Sequence, residues 1–378
     1  MFNIMKVEEF FEGLNYDFFT GVPDSTLSPF CDYLMKEKGI SSEHIIAANE
    51  GNCVGLAAGY YMATGKIPVV YLQNSGIGNI LNPVVSLLNE RIYKIPCLFF
   101  IGWRGEPGKK DEPQHKFQGE ITQQLLQDIG ITTFLIEATT TKEEWNSLLK
   151  VVDSMLAQGE QVAFLFTKGA IERETINQNR NSYEIIREEA IHELARFAKK
   201  DFFVASTGKI SRELFAVREF MKQSHERDFL TVGSMGHCSS IALGIALQKP
   251  EQRIWCLDGD GALLMHMGAM AIIGASSAKN MVHVVFNNEA HESVGGYPTV
   301  IDNVNLKNLA KSMGYQKIYS VDSMKNLREA LLEIDKYNEL SFLEIRTAIG
   351  SRKDLGRPTS SPSENIKQFM SCLQLDSN

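Results

Sequence analysis

Two short stretches around residue 260 carry residue types that could hold a metal ion. RIWCLDGDGALL reads as an apolar strand ending in Gly259-Asp260-Gly261, and MVHVVFNNEAH as a second apolar strand ending in Asn287-Asn288. Asp260 and Asn288 are 28 positions apart. A hard divalent ion such as Mg²⁺ takes oxygen ligands and is commonly shared with phosphates, so a carboxylate, a carboxamide oxygen and a nearby carbonyl suit it. The glycines flanking Asp260 permit a tight turn and a close backbone approach to a diphosphate at the N-terminus of the following helix. Taken singly, DG and NN are ordinary turn dipeptides. Their placement at two strand ends is what points to one shared ligand.

A second acid stands apart from these. HIIAANEGNCVGLAAGYYMATG puts Glu50 between an apolar strand and a small-residue helix, where a partly buried carboxylate can face a ligand. An isolated Glu there also serves as a helix N-terminal charge favoured by the dipole. Gly76-x-Gly78 invites a dinucleotide reading, but Leu81 stands where that fingerprint needs glycine and no ribose-binding acid follows.

Positioning these residues calls for strands that end at loops. In the first half DFFTG, HIIAA, PVVYLQ, CLFFIGW and QVAFLF recur at helix-length intervals. In the second, DFFVAS, DFLTVGS, RIWCLDGD, MVHVVFNN, YQKIYSV and LSFLEIR do the same, separated by helical spans such as SSIALGIALQ and MKNLREALLEIDKY. The pattern predicts an α/β chain with two open, mostly parallel sheets and no middle domain. The expected domains are residues 1–168 and 184–378, joined by an apolar-poor linker over 169–183. Ligands of such sheets sit beyond the carboxyl ends of the strands.

The 378 residues exceed what one core usually supports. A net charge of −8 argues against nucleic acid or an anionic membrane surface as partner. No apolar run approaches the roughly 20 residues of a membrane span, and MFNIMKVEEF does not read as a secretory signal. A cytoplasmic protein is expected, with its six cysteines, which form no CxxC pair, reduced.

GDG followed at this distance by NN resembles the thiamine diphosphate motif. The strand, Asn-Glu and Ala/Gly-rich helix around Glu50 resemble the same family's pyrimidine-binding domain. Since the Glu50 domain precedes the GDG domain, the order is that of pyruvate-decarboxylase-like enzymes; the lack of a middle domain narrows the resemblance to the phosphonopyruvate and sulfopyruvate decarboxylases. TGVPDS (20–25), QNSGIGNILNP (73–83), GWRGEPG (102–108), DEPQHKFQG (111–119) and NNEAHESVGG (287–296) are similar to the phosphonopyruvate branch.

The resemblance implies thiamine diphosphate and Mg²⁺ as cofactors. It makes Asp260, Asn288 and the Ala290 carbonyl the metal ligands, with Asn287 the runner-up for the second. It makes Glu50, Gly259, Asp260, Gly261, Ala262, Asn288 and the stretch Gly233-Ser234-Met235 (followed by Gly236 and His237) cofactor-binding residues. Glu50 would hydrogen-bond N1′ of the aminopyrimidine so that the 4′-imino group can take the C2 proton. His115 and Glu292 are candidate catalytic groups, with His291 beside the latter. Asp24, Ser25, Asn74, Ser75, Arg104 and His115, with Lys109 and Lys110 nearby, are candidate substrate contacts, since a phosphonate dianion needs cationic or amide donors. The implied reaction is non-oxidative decarboxylation of 3-phosphonopyruvate to phosphonoacetaldehyde in phosphonate biosynthesis, by a homodimer or larger assembly with sites between subunits. Sulfopyruvate is the alternative substrate. A 2-oxoacid oxidoreductase subunit is a more distant one, for which the cysteine spacing supplies no iron–sulfur ligands.

Overall fold

The computed structural model describes residues 4–172 and 181–375, and the chain divides into two units, residues 1–178 and 179–378. In the first unit the strands are β1 (Phe19–Gly21), β2 (His44–Ile46), β3 (Val69–Gln73), β4 (Cys97–Gly102), β5 (Ile131–Ile136) and β6 (Gln161–Phe166). They form one sheet in the order β2-β1-β3-β4-β6-β5, with every neighbouring pair parallel. All residues of β4 and β6 are buried, so CLFFIG and QVAFLF show no alternation. That is the signature of a parallel sheet covered by helices on both faces. Trp145 stacks on Phe10 with centroids 4.3 Å apart, and its indole N–H donates to the Phe10 carbonyl at 3.0 Å.

The edge strand β5 was not among the five strands expected in this half. Its sequence ITTFLI has buried ends and a half-exposed middle, with Thr132 and Leu135 facing out. At a sheet edge neither alternation nor a continuous apolar run has to appear.

In the second unit the strands are β7 (Phe202–Ala205), β8 (Asp228–Leu230), β9 (Ile254–Gly259), β10 (Met281–Asn287), β11 (Ala290–His291), β12 (Tyr297–Pro298), β13 (Lys317–Val321) and β14 (Ser341–Arg346). Six of them make a parallel sheet ordered β13-β14-β10-β9-β7-β8. β11 and β12 form a small antiparallel ribbon directly after the NN pair. With the strands of each large sheet numbered in chain order, both sheets run 2-1-3-4-6-5. In both, the direction of winding reverses between the first and third strands, which opens a crevice at their carboxyl ends.

The stretch read as linker is tied down at both ends. The Glu172 N–H donates to the Met5 carbonyl at 3.1 Å, and Asn181 Nδ2 donates to the carbonyls of Asn288 and Thr347 at 3.0 Å each. Residues 173–180 lie outside the described residues. Among the described residues no helix is long and apolar enough to cross a membrane.

One ion pair braces the second unit. Arg218, on the helix Lys209–Met221, donates from Nε and Nη2 to the two Asp228 carboxylate oxygens at 2.9 and 2.8 Å, with both side chains at most 2% exposed. Removing one partner leaves a buried charge uncompensated. Asp228→Asn is therefore expected to cost about 3–5 kcal/mol of stability, read as a lower urea midpoint with an unchanged m-value.

Candidate active site

In the first unit the chemistry gathers at strand ends beside the β1/β3 crevice. Glu50 opens the helix Glu50–Thr64, whose N-cap Asn49 accepts the Gly51 N–H at 2.7 Å. Its carboxylate is buried and accepts from Asn79 Nδ2 at 2.7 Å. Burial pushes its pKa up, and the Asn79 bond only partly offsets this. The backbone of Gly76 leaves room for that carboxylate: a Cβ at 76 would lie 2.5 Å from Glu50 Oε1. A buried, proton-hungry carboxyl suits a hydrogen bond to a ring nitrogen, so Glu50 fits the pyrimidine role.

A second group forms where β1 and β4 end. Asp24 is fully buried; one oxygen accepts from the N–H groups of Thr26 and Leu27 at 2.8 and 3.2 Å, while Oδ1 has no partner. Burial raises its pKa. Arg104 grips Asp111 through Nε and Nη2 at 2.8 and 2.5 Å, and its Nη1 donates to Ser25 Oγ at 3.2 Å. His115, buried at the start of the helix Pro113–Asp128, has its pKa lowered to about 4 by burial and then by the Arg104 charge. Asn74 is spent differently: its amide donates to the Arg104 carbonyl and to Thr122, and accepts the Arg104 N–H at 3.1 Å. It ties β3 to the Arg104 loop. Ser75 is exposed and accepts from Gln73; Lys109 and Lys110 are exposed as well.

In the second unit Asp260 begins the helix Asp260–Met265 directly after β9. Its carboxylate is buried, accepts from Thr299 Oγ1 at 3.0 Å, and is pushed up to about pKa 7 by burial. Asn288 lies just past β10, with Nδ2 donating to Glu292 at 2.9 Å and Oδ1 accepting the Ala290 N–H at 3.1 Å. Opposite Ala290 in the ribbon stands Pro298, which has no N–H to offer the Ala290 carbonyl. Asn287 is occupied inside the sheet, donating to Glu344 at 2.8 Å and accepting the Glu289 N–H at 3.2 Å. A buried carboxylate of raised pKa, an amide oxygen and a carbonyl form an oxygen donor set that fits Mg²⁺.

The same end of the sheet has a cradle. Gly233, Ser234 and Gly236 take positive φ values of 74°, 50° and 84°, and Ser234 pays a backbone cost there that glycine would not. The Gly233 N–H donates to Thr207 at 3.0 Å, and His237 rests against His266 with ring centroids 4.4 Å apart. A Cβ on Gly261 would lie 3.0 Å from His291 Nδ1. His291 is buried and held near pKa 4 by that burial. Glu292 meets Arg187 at 2.6 Å and Lys209 at 3.1 Å. Burial works against its ionisation, but the two cations more than offset that and hold its pKa below the usual range.

Sequence reasoning missed Asn79, Asp111, Thr299, Arg187 and Lys209. Asn79 and Asp111 lie inside stretches already quoted as motifs, while Thr299 and Arg187 become visible only once the chain is folded. Beneath the GDG turn, Cys256, Asp258 and His283 lie with their polar atoms within 4.8 Å of one another. Asp258 Oδ1 accepts the Gly259 N–H at 2.9 Å, so this buried group braces the turn from below.

Gly76→Ala is expected to keep the fold by circular dichroism while displacing Glu50; turnover should fall about 100-fold, the usual effect of a misplacement near 1 Å. Because His115 is neutral when folded but protonated near pH 6.5 when unfolded, the unfolded state binds more protons between pH 6.5 and 4, and acid weakens the fold through that window. His115→Gln should recover roughly 1–2 kcal/mol of stability at pH 4.5 and nothing at pH 8, measured by urea unfolding at both.

The chain matches two family models, "Thiamine pyrophosphate enzyme, N-terminal TPP binding domain" over residues 7–126 and "Thiamine pyrophosphate enzyme, C-terminal TPP binding domain" over residues 207–345. It is 32% identical over 375 residues to a phosphonopyruvate decarboxylase of Streptomyces viridochromogenes, covering 94% of this chain and 91% of the relative. A sulfopyruvate decarboxylase of Methanosarcina acetivorans is 29% identical over 380 residues, covering 94% and 95%. The beta subunit of a sulfopyruvate decarboxylase from Methanothermobacter thermautotrophicus is 35% identical over 145 residues, or 38% of this chain and 75% of the relative. The GDG and NN strand ends, the buried Glu50 and these matches agree, and the chain belongs to the thiamine pyrophosphate enzyme family as a decarboxylase of the phosphonopyruvate and sulfopyruvate group.

Proposed function

We propose that the protein decarboxylates 3-phosphonopyruvate to phosphonoacetaldehyde, with thiamine diphosphate and Mg²⁺ bound, in phosphonate biosynthesis. What carries this reading is the full-length similarity to phosphonopyruvate decarboxylases, joined to a buried Glu50 and a buried Asp260–Asn288–Ala290 oxygen set.

Bound thiamine diphosphate supplies a thiazolium carbon able to take up the electron pair released as CO₂ departs. Everything else falls to the protein. Asp260, Asn288 and the Ala290 carbonyl would hold Mg²⁺, and a bound cation would keep the Asp260 carboxyl ionised against its burial. Backbone groups of Gly259, Gly261, Ala262 and Gly233 to Met235 would receive the diphosphate, with the N-terminus of the Asp260 helix favouring negative charge there. Glu50, its pKa raised, would hold the proton at N1′ of the aminopyrimidine.

For the substrate, Arg104 and Ser25 offer donors, and Asp24 and His115 stand close enough for their charges to be felt at or from Arg104. A dianion arriving beside His115 would raise its proton affinity, which gives it a proton to hold or pass on. Asp111 takes the Nε–Nη2 edge of Arg104 and Ser25 takes one Nη1 hydrogen, which leaves one N–H on each of Nη1 and Nη2 for an anion.

Self-association belongs to the same proposal: a homodimer or larger assembly, with each site completed between subunits. The helix that Glu50 begins leaves Leu56 and Met62 exposed, and Leu81 and Val85 on the next segment are exposed too. An apolar surface beside a catalytic acid is what a partner subunit would cover. The compartment proposed is the cytoplasm, where the six free, buried cysteines remain reduced.

The test is release of CO₂ and aldehyde from 3-phosphonopyruvate, sulfopyruvate and pyruvate, with and without thiamine diphosphate and Mg²⁺. Cofactor-dependent turnover favouring phosphonopyruvate is expected, and Glu50→Gln should lower it by about 10²–10⁴-fold. A preference for sulfopyruvate would move the substrate and keep the chemistry; no turnover of any acid by cofactor-loaded protein would overturn the reading.

A further inference from the structure

We infer that Glu292 and Arg187 are positioning residues that decide which end of the Asn288 carboxamide faces the metal position, and so set the affinity for the divalent ion. The inference rests on the reading of Asn288 as a ligand of Mg²⁺.

A carboxamide has two ends of nearly the same size, one a donor and one an acceptor. Only the oxygen end can serve a hard cation. A turn residue at the end of a strand has no packing that tells the two apart, so the distinction must come from hydrogen bonds. Two are present, and they agree. A carboxylate only accepts, so the Glu292 oxygen 2.9 Å away must meet Nδ2. The Ala290 N–H only donates, and it meets Oδ1 at 3.1 Å.

Glu292 can enforce this only if it cannot swing away. The oxygen that receives Asn288 also accepts from Arg187 Nη1 at 2.6 Å, and the other accepts from Lys209 Nζ at 3.1 Å. Lys209 is in turn held by Ser351 Oγ at 2.6 Å. Arg187 is itself fixed: its Nε and Nη2 grip the two Glu213 oxygens at 2.7 and 2.9 Å, with the two side chains 6% and 1% exposed. Arg187 and Glu213 sit on the helices Arg187–Phe197 and Lys209–Met221, which belong to the same unit as β10. The order of support therefore runs from two packed helices, through Glu213, Arg187 and Glu292, to one amide. Partners that orient a metal ligand in this way are typically worth about 10–100-fold in metal affinity.

Glu292→Gln is the discriminating change, because a glutamine can turn its own N–H₂ toward Asn288 Oδ1 and so compete with the ion. Mn²⁺ binding would be measured by electron paramagnetic resonance in the presence of thiamine diphosphate, together with the Mg²⁺ concentration for half-maximal activity. About 10–100-fold weaker Mn²⁺ binding is expected, with a matching rise in the Mg²⁺ requirement and a much smaller loss of kcat at saturating Mg²⁺. Unchanged Mn²⁺ affinity with a large loss of kcat at saturating Mg²⁺ would overturn the inference and make Glu292 a group that acts on the substrate. The double variant Arg187→Gln, Glu213→Gln removes the buried pair together, so no lone charge is stranded; it should also weaken Mn²⁺ binding, and unchanged affinity would overturn the part given to Arg187. Asn288→Ala separates this idea from the one beneath it. If that variant binds Mn²⁺ normally, the ligand assignment itself fails; if it loses Mn²⁺ while Glu292→Gln does not, only the positioning role fails.

Discussion

Burying a carboxylate costs several kcal/mol unless cations or donors offset it, and this chain offsets that cost in two different ways. Asp228 and Glu213 are each gripped on both oxygens by an arginine; the first pair ties a helix to β8 and the second ties two helices together. Burial drives the pKa of all these acids upward, but Glu50, Asp24 and Asp260 have no arginine gripping them among the described residues to offset it. The first kind is finished within the fold. The second kind is stable only because the sheets and tight glycine approaches hold it in place, and it becomes comfortable when something else arrives.

That distinction explains why each site residue lies at a strand end. The middle of a parallel sheet satisfies its own backbone and leaves no free donors, whereas the carboxyl ends present unpaired N–H and C=O groups and helix N-termini. Asp260 and Asn288 sit one residue beyond adjacent strands, so their relative placement is inherited from the β9/β10 register. Asn287, one residue earlier, is still paired in the sheet, opposite Arg346 of β14, and is spent on Glu344 and Glu289. One position along the chain separates a sheet residue from a ligand candidate.

Much of this was legible in the sequence, for a physical reason. Buried parallel strands have to be continuous apolar runs and the half-buried edge β13 is rich in β-branched and aromatic residues, so eleven of the twelve strands of the two large sheets stood out, and the edge β5 did not. Glu50, Asp260 and Asn288 were readable because special turns need glycine and ligand chemistry needs particular side chains. Roles set by long-range pairing were not readable. Asn74 turned out to tie two loops together, and Glu292 is locked between Arg187 and Lys209, more than 80 positions upstream. Nothing in the local sequence of Arg187 announces what it touches. Likewise, Asn181 and Tyr183 read as linker, yet they brace the loop that carries Asn288 and Glu289.

The two large sheets share the strand order 2-1-3-4-6-5, and among the described residues every ladder bond stays within its own unit. A stop codon and a new start placed between residues 172 and 181 would therefore sever no strand from its neighbour. Whether such a protein is written in one reading frame or two is a matter of gene architecture that the fold leaves free, and the match to a relative's beta subunit over 38% of this chain falls within the second unit's share of the length. Fusion changes something else. It fixes the two halves at equal numbers in the cell, so neither carboxylate-bearing half is ever made without the other.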